Sequence, residues 1–326
     1  MPLEDMSVRV CDSCTCVFFG ATVPRIEDCY RARVWGGPPR AEFVERDDGS
    51  IGRAPPEVRS ARNAAKLHAL RGALRRGAAL SASVLEVGCR DGEFSSAARE
   101  RFRGLELAAL EPWLPWRDEA AARGLSVTPS FAESDEGGSV DIVVEFDLLD
   151  HFADPLAHLQ ALTRLMKPAG HLVLGVSNIE SCAGMMHPHR LRRDAPVGLT
   201  RRALRAACAA AGLDAQIWED GPTLFAVCER GEVAPEPAMP GEAAALALTF
   251  AENDGRLLLK RVLAEHGPTQ AALRVAAVAA GGCGTARCYT ALCRDVAAAC
   301  QRGGREDLAA QWSAHADEGR ASQNVA

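Results

Sequence analysis

Residues 84–94 read VLEVGCRDGEF, an apolar run that ends in a turn holding two glycines. The run predicts a buried strand, and Gly88 and Gly92 predict a turn where little side chain separates the backbone from a ligand. In a doubly wound sheet, ligands bind beyond the strand ends where the strand order reverses, usually against the first strand and its following turn. The stretch therefore predicts a ligand site after the first strand of an α/β domain.

Strand and helix signals alternate around this stretch. Short apolar segments predict strands and amphipathic segments predict helices, which together indicate a mostly parallel sheet covered on both faces. The expected strands are 83–88, 105–111, 125–130, 140–146, 170–177, 214–219 and 223–229. The DGP connection between the last two is too short for a parallel crossover. The predicted fold is α/β: a Rossmann-like, doubly wound, mostly parallel seven-stranded sheet with an antiparallel last hairpin.

The helices between these strands are expected at 92–102, 114–124, 154–166 and 200–212. Before the first strand, residues 56–79 predict another amphipathic helix, whose polar face is rich in arginine.

Composition divides the chain of 326 residues into five parts. Residues 1–55 carry turn signals and predict an irregular segment, and 56–231 form the α/β domain. Residues 232–245 are a linker rich in proline, glutamate and alanine. Small residues at helical spacing predict a small helical region over 246–320, either tetratricopeptide-like or a helical cap, and 321–326 are expected to be a disordered tail.

Charge and hydropathy exclude several classes of protein. The formal charge of -6 and the sequence pI near 5.8 argue against a surface that generally coats nucleic acid. No apolar run approaches the roughly 20 residues that span a bilayer, and the acidic start lacks the pattern of a signal peptide. The twelve cysteines are expected to remain thiols. We expect a cytoplasmic protein with no membrane partner.

The residues after the first two strands favour a particular ligand. Glu111 ends the second strand about 20 residues after the glycine turn, where its carboxylate can accept hydrogen bonds from both hydroxyls of a ribose. Arg90 stands where a phosphate-binding loop has its middle glycine, which disfavours a dinucleotide. An adenosine carrying a cationic sulfonium fits better, because it needs backbone carbonyls and a nearby acid. Glu86 can help to fix the loop.

Four segments together resemble the class I S-adenosylmethionine-dependent methyltransferases. They are VLEVGCRDGEF, ALEPW, the stretch from VDIVVEFDLLDHFADP to GHLVLGVSNIES, and LTRRALRAACAAAGL. The order and spacing are similar to those of methyltransferases with "LEH..DP" and "LKPGG" patterns, which include small-molecule, sugar and ubiquinone-type enzymes. The resemblance covers about residues 57–230 and implies S-adenosylmethionine as cofactor. Arg90 and Ala169 depart from the pattern, and Arg90 would need a backbone conformation that glycine adopts more easily.

The resemblance also implies which residues contact the cofactor. They are Glu86, Gly88, Cys89 and Gly92 at the methionine end, Glu111 at the ribose, Phe131 and Ala132 beside the adenine, and Phe146, Asp147 and Leu148 over the sulfonium.

The segment FDLLDH holds the candidate catalytic residues, His151 and Asp147. The pKa of a histidine lies near working pH, so His151 can remove a proton from a substrate hydroxyl; a histidine satisfied by a backbone group is the simpler alternative. In ubiquinone-type O-methyltransferases a similar acid, acid-His pattern holds a divalent cation, which would involve Asp147, Asp150 and His151. An acid capping a helix needs nothing extra, and we predict no metal here.

A long loop over residues 178–200 is expected to hold the acceptor. Its candidate substrate residues are Met185, His187, His189 and Arg190, together with Met186, Arg192 and Arg193. Methionines can form an adaptable apolar wall and arginines can meet an anionic substrate. Ordinary loop packing with solvated arginines is the simpler alternative.

The segment CDSCTC places Cys11 and Cys14 at the spacing of a zinc half-site. Related methyltransferases begin with a ribbon of cysteine pairs, and the pair that would complete it upstream is missing here. A degenerate remnant of a zinc ribbon is therefore favoured over bound zinc.

These observations predict an S-adenosylmethionine-dependent methyltransferase that acts on a small molecule, with oxygen as the methylated atom, by in-line transfer. One alternative is a catalytically weakened scaffold that binds protein partners, or itself, through its C-terminal helices. Another is an RNA methyltransferase that uses the arginines of residues 190–205; the acidic total charge counts against nucleic acid as a partner.

Overall fold

The computed structural model describes residues 7–20, 43–45, 51–53, 56–76, 81–129, 138–180, 196–221, 223–234 and 286–323, with isolated residues between 243 and 273. The chain forms two compact units, Met1–Met239 and Pro240–Ala326. The division between them falls inside the segment 232–245, which the composition identifies as a linker.

A seven-stranded sheet forms the centre of the first unit. Its strands in chain order are β5 (Ser83–Val87), β6 (Glu106–Leu110), β7 (Ser126–Thr128), β8 (Val140–Phe146), β9 (Met166–Ser177), β11 (Leu213–Asp220) and β12 (Thr223–Arg230). They lie in the order β11-β12-β9-β8-β5-β6-β7, and β12 is antiparallel to both of its neighbours. The predicted seven-stranded sheet with an antiparallel last hairpin is confirmed. β5 has β6 on one side and β8 on the other, so the strand order reverses there.

Within the described residues, five helices cover this sheet, as the hydrophobic pattern predicts. They are α1 (Pro56–Leu74), α2 (Glu93–Arg101), α3 (Leu114–Ala122), α4 (Pro155–Leu165) and α5 (Arg201–Ala210). Two of them begin with side-chain caps: Asp154 accepts a hydrogen bond from the Ala157 amide, and Thr200 accepts one from the Ala203 amide.

Apolar side chains pack on both faces of the sheet because successive residues of a strand point to opposite sides. On β8, Val143 joins a cluster with Leu159 of α4 and Leu204 of α5. Its neighbours Ile142 and Val144 join a second cluster, with side chains of α1 and α2. With both faces buried, the chemistry-bearing side chains collect at the carboxyl ends of the parallel strands.

The N-terminal segment departs from the expectation of little regular structure. β1 (Ser7–Val10) pairs with β2 (Val17–Gly20), and β2 pairs with β10 (Val197–Gly198). A separate short pair joins β3 (Phe43–Glu45) and β4 (Ile51–Arg53). The Thr15 hydroxyl also bonds the Thr200 hydroxyl at 2.7 Å. Local sequence cannot reveal the β2–β10 pairing, since the two strands lie about 180 positions apart.

The second unit contains two helices in its described part, α6 (Ala286–Arg302) and α7 (Glu306–Gln323). Gly304 between them has φ of +68°, the left-handed conformation that commonly ends a helix. Leu292, Val296 and Cys300 of α6 pack with Ala309 of α7. The likeness to tetratricopeptide repeats stays a prediction.

Over the described part of the chain, no helix is both long enough and apolar enough to cross a membrane.

Candidate active site

The glycine turn, residues 88–92, follows β5 at the point where the strand order reverses. Gly88 and Gly92 have φ of +74° and +75°, in the left-handed region. A Cβ on Gly92 would lie 2.5 Å from Leu125 Cδ1, so both conformation and packing require glycine there. Arg90 also lies in the left-handed region, with φ of +53°. The expectation that this arginine takes up a backbone conformation suited to glycine is confirmed.

Glu111, at the end of β6, ties the glycine turn to the next loop. Its Oε2 accepts a hydrogen bond from the Arg90 amide and its Oε1 accepts one from the Trp113 amide, each at 2.9 Å. The side chain is 0% exposed. Burial raises the pKa of Glu111 to about 7, and the two amide bonds only partly oppose that shift. The Arg90 guanidinium lies 5.1 Å from the ring centre of Trp116.

Glu86 lies beneath the glycine turn on β5. Its carboxylate accepts a hydrogen bond from the Ser95 hydroxyl of α2 at 2.5 Å, which anchors the strand to the helix. Burial raises the pKa of Glu86 to about 7. Burial also raises the pKa of the Cys89 thiol far above its usual range, so Cys89 stays protonated and is no nucleophile.

The Asp147 turn, residues 147–151, follows β8 and faces the glycine turn. Asp147 has φ of +58°, and its amide donates to the Gly175 carbonyl at 2.7 Å. A Cβ placed on Gly88 would lie 2.9 Å from Leu148 Cδ2. The two turns therefore touch, and Leu148 occupies space that a side chain on Gly88 would need.

Lys66 of α1 reaches the Asp147 turn and was missed by sequence reasoning. Its ammonium lies 2.9 Å from Asp147 Oδ2 and 5.2 Å from the ring centre of Phe146. Partial desolvation raises the pKa of Asp147, whose side chain is 41% exposed, but the Lys66 charge and hydrogen bond outweigh it, so the net shift is downward. The sequence signal was the polar face of the predicted first helix, which does not say which of its cations meets an acid.

His151 and Asp150 lie side by side in the Asp147 turn. His151 Nε2 is 3.8 Å from Asp150 Oδ1. Asp150 is 9% exposed, and its Oδ1 has no hydrogen-bond partner within the described residues.

The structure offers no support for a metal in the ranges it describes. There, no group of three or more His, Cys, Asp or Glu side chains is arranged to hold a metal ion. This applies to Asp147, Asp150 and His151, and to Cys11 and Cys14.

Several predicted residues lie outside the described residues. They are Phe131, Ala132, Met185, Met186, His187, His189, Arg190, Arg192 and Arg193.

A profile of the methyltransferase domain family matches residues 57–216. This part of the chain is a class I S-adenosylmethionine-dependent methyltransferase domain. Its match begins in α1 and ends in β11, so it contains both turns of the candidate site. The resemblance seen in the glycine turn and the strands around it is confirmed.

Curated relatives of the methyltransferase domain are ubiquinone biosynthesis O-methyltransferases. The protein of Cronobacter sakazakii is 32% identical over 120 residues, which are 34% of this chain and 49% of that protein. The protein of Pectobacterium atrosepticum is 34% identical over 111 residues, 32% of this chain and 46% of that protein. The chain spans about half the length of these relatives.

Among solved structures, a methyltransferase of Thermotoga maritima, described as a possible histamine N-methyltransferase, has a TM-score of 0.42. It is 17% identical, and the similarity covers 52% of this chain and 89% of that one.

The cofactor of the methyltransferase domain is S-adenosylmethionine, and the residues present fit it. Each oxygen of Glu111 accepts one backbone amide and keeps a lone pair for a ribose hydroxyl. The methionine end of the cofactor carries an ammonium and a carboxylate. Asp147 and Lys66 offer the opposite charges at one place beside the glycine turn.

Proposed function

We propose that this protein transfers a methyl group from S-adenosylmethionine to a hydroxyl oxygen of a small molecule. The contact of the Asp147 turn with the glycine turn carries the proposal, because Leu148 packs against Gly88. A carboxylate and an imidazole, those of Asp147 and His151, lie on the turn that makes this contact. The O-methyltransferase names of the curated relatives also favour oxygen.

The cofactor would be held from two sides. Glu111 would bind the ribose hydroxyls, while Lys66 and Asp147 would pair with the carboxylate and ammonium of the methionine end. Other lining residues in the proposal are Glu86, Gly88, Cys89 and Gly92 along the methionine end, Phe146 and Leu148 over the sulfonium, and Phe131 and Ala132 beside the adenine. Bound there, the cofactor would supply a methyl group on a positively charged sulfur. The neutral thioether that forms when the methyl group is transferred is a good leaving group.

The protein's own contribution to the chemistry would be alignment and removal of one proton. In-line displacement is fastest when nucleophile, methyl carbon and sulfur are held in a row away from water. His151 would take the proton of the acceptor hydroxyl as the new oxygen–carbon bond forms. Asp150, 3.8 Å from His151 Nε2, would lie beside the imidazolium that forms.

The acceptor would be held by residues 178–200, with Met185, His187, His189 and Arg190 as the proposed contacts. A methionine wall suits an apolar ring or chain, and the arginine suits an anionic substituent. A phenol or catechol that carries a carboxylate has both features.

The test is transfer of a radiolabelled methyl group from S-adenosylmethionine to a panel of phenols and catechols, among them 3,4-dihydroxybenzoate. We expect labelled methyl ether with at least one member of the panel. His151→Asn should lower the turnover roughly 100-fold while leaving the affinity for S-adenosylhomocysteine within about twofold. His68→Asn is the matched control, because His68 lies on α1 against Trp218 and has no place in the mechanism.

Calorimetric titration with S-adenosylhomocysteine completes the test. Saturable binding is expected. If no binding is observed, the proposal fails, and the alternative of a scaffold that has lost its cofactor is favoured.

A further inference from the structure

Glu145 and His158 form a buried polar pair that the proposed mechanism does not use. Glu145 lies on β8 and is 1% exposed, and His158 lies on α4 and is 7% exposed. His158 Nε2 is 2.5 Å from Glu145 Oε2. The sheet neighbours of Glu145 are Val87 and Leu174, so the carboxylate sits in apolar surroundings.

Such a pair seldom adds stability over apolar side chains of similar size, because the cost of desolvation offsets the attraction. The other oxygen of Glu145, Oε1, is buried and has no hydrogen-bond partner within the described residues, which adds to that cost. We therefore look for the contribution of the pair in how it positions the two segments that it joins.

The pair spans the Asp147 turn from end to end. Glu145 comes two residues before Asp147. On the far side, the His158 ring is stacked on Phe152, with ring centres 3.6 Å apart and an angle of 15° between the planes. Phe152 directly follows His151. One imidazole thus contacts residues just before and just after the turn, and the two contacts fix the distance between its ends.

The turn has reason to need such support. Asp147 holds a left-handed backbone conformation although it is not glycine, and Asp150 has a buried oxygen without a hydrogen-bond partner in the described part of the chain. Both features cost free energy and persist only where the surroundings hold them.

We propose that Glu145 and His158 are positioning residues, which hold the Asp147 turn so that Leu148 meets the glycine turn and His151 faces the acceptor. This proposal rests on the proposed function only for the roles of Leu148 and His151 toward cofactor and acceptor. The positions themselves can be tested in the protein alone.

The experiment is hydrogen–deuterium exchange of the peptide that covers residues 147–152, in the full chain without cofactor. The amides of Asp147, His151 and Phe152 donate hydrogen bonds to Gly175, Leu148 and Leu149, so the folded turn protects them. In the double variant Glu145→Leu/His158→Phe, an aromatic ring remains under Phe152, but the link to β8 is lost. We expect exchange of this peptide to become roughly tenfold faster, and the affinity for S-adenosylhomocysteine to weaken roughly tenfold.

Two further variants separate positioning from general destabilisation. Glu145→Gln keeps a hydrogen bond to His158 and should restore slow exchange and affinity to within about twofold of the natural protein. His171→Gln is the matched control: His171 is a buried histidine of β9, 3.9 Å from Glu229, and it does not touch the turn. In the His171→Gln variant, hydrogen–deuterium exchange of residues 147–152 should equal that of the natural protein.

The proposal is overturned if the folded double variant protects residues 147–152 as well as the natural protein does, or if His171→Gln weakens protection equally. Because exchange needs neither cofactor nor acceptor, a failure of methyl transfer leaves this result intact. A failure here likewise leaves the proposed reaction standing.

Discussion

The two sides of the candidate site are built over different distances along the chain. On the cofactor side, formed by residues 86–92 and 111–113, Glu111 bonds the amide of Arg90, 21 positions away. On the other side, formed by residues 146–151 and 197–200, Lys66 meets Asp147 across 81 positions. There Thr200 bonds Thr15 across 185 positions.

This difference explains why one side of the site can be predicted from the sequence and the other cannot. A strand, a glycine turn and the acid of the next strand form a unit of about 30 residues, and the unit has a local signature. The other side is assembled from helix α1, the turn after β8 and the N-terminal strands β1 and β2. Only the order of strands in the sheet brings these together.

The largest effect is expected on the cofactor side, from Glu111→Ala. In the proposed binding mode Glu111 accepts two ribose hydroxyls, each bond worth about 1.5 to 3 kcal/mol, so its loss should weaken binding of S-adenosylhomocysteine roughly 100-fold or more. Calorimetric titration measures the change. Glu106→Ala, on an exposed site of the same strand, is the control and should bind normally. If Glu111→Ala binds normally, the ribose is held elsewhere.

Lys66→Ala tests whether a partner from a distant part of the chain contributes to the same site. We expect the affinity for S-adenosylhomocysteine to fall roughly 20-fold, because one charge-assisted hydrogen bond to the methionine carboxylate is lost. Lys167→Ala removes another lysine–aspartate pair of 2.9 Å, with Asp141, where β8 begins, and should leave affinity unchanged. Equal effects of the two variants would mean that Lys66 acts only through general electrostatics.

The pH dependence should distinguish the carboxylates of the two sides. The pKa of Glu111 is raised to about 7 in the folded protein, from an ordinary value near 4.5. The folded state therefore binds the proton more tightly, so the stability from this group is complete below about pH 4.5 and is lost as the pH rises through 7. The pKa of Asp147 is lowered, so its contribution is present above its ordinary pKa and is lost on acidification.

As the pH rises and Glu111 ionises, cofactor affinity should increase while the stability contributed by Glu111 decreases. In the proposed binding mode the ionised carboxylate accepts the ribose hydroxyls, so affinity for S-adenosylhomocysteine should rise roughly tenfold from pH 6 to pH 8. Titrations across this range measure it. In Glu111→Gln the rise should be much smaller, and an equal rise there would assign the dependence to Glu86, whose pKa is also raised to about 7.

The smallest effect concerns Arg90, the departure from the family pattern. With φ of +53°, any residue other than glycine carries a conformational cost of about 1 kcal/mol. Arg90→Gly and Arg90→Ala both lose the contact with Trp116, and only the glycine variant relieves that cost. Thermal or denaturant unfolding should show Arg90→Gly to be more stable than Arg90→Ala by about 1 kcal/mol. The opposite order would contradict the left-handed conformation.

Much of the fold and half of the candidate site could be predicted from the sequence. The seven strands, the last hairpin, the turn at Gly88 and the unusual backbone of Arg90 were all foreseen, because each depends on neighbours within a few residues. Lys66 and the Glu145–His158 pair were not, although each residue lies in an element that was predicted.

By itself, then, the sequence determined the order of the helices and strands and the backbone conformation of the glycine turn, since hydrophobic period and glycine placement act locally. The tertiary structure alone decided which cation meets Asp147, which histidine spans the Asp147 turn, and where strand β2 pairs with β10. The physical reason is that contacts between distant parts of a chain depend on how the strands are ordered and packed, and no short pattern records that order.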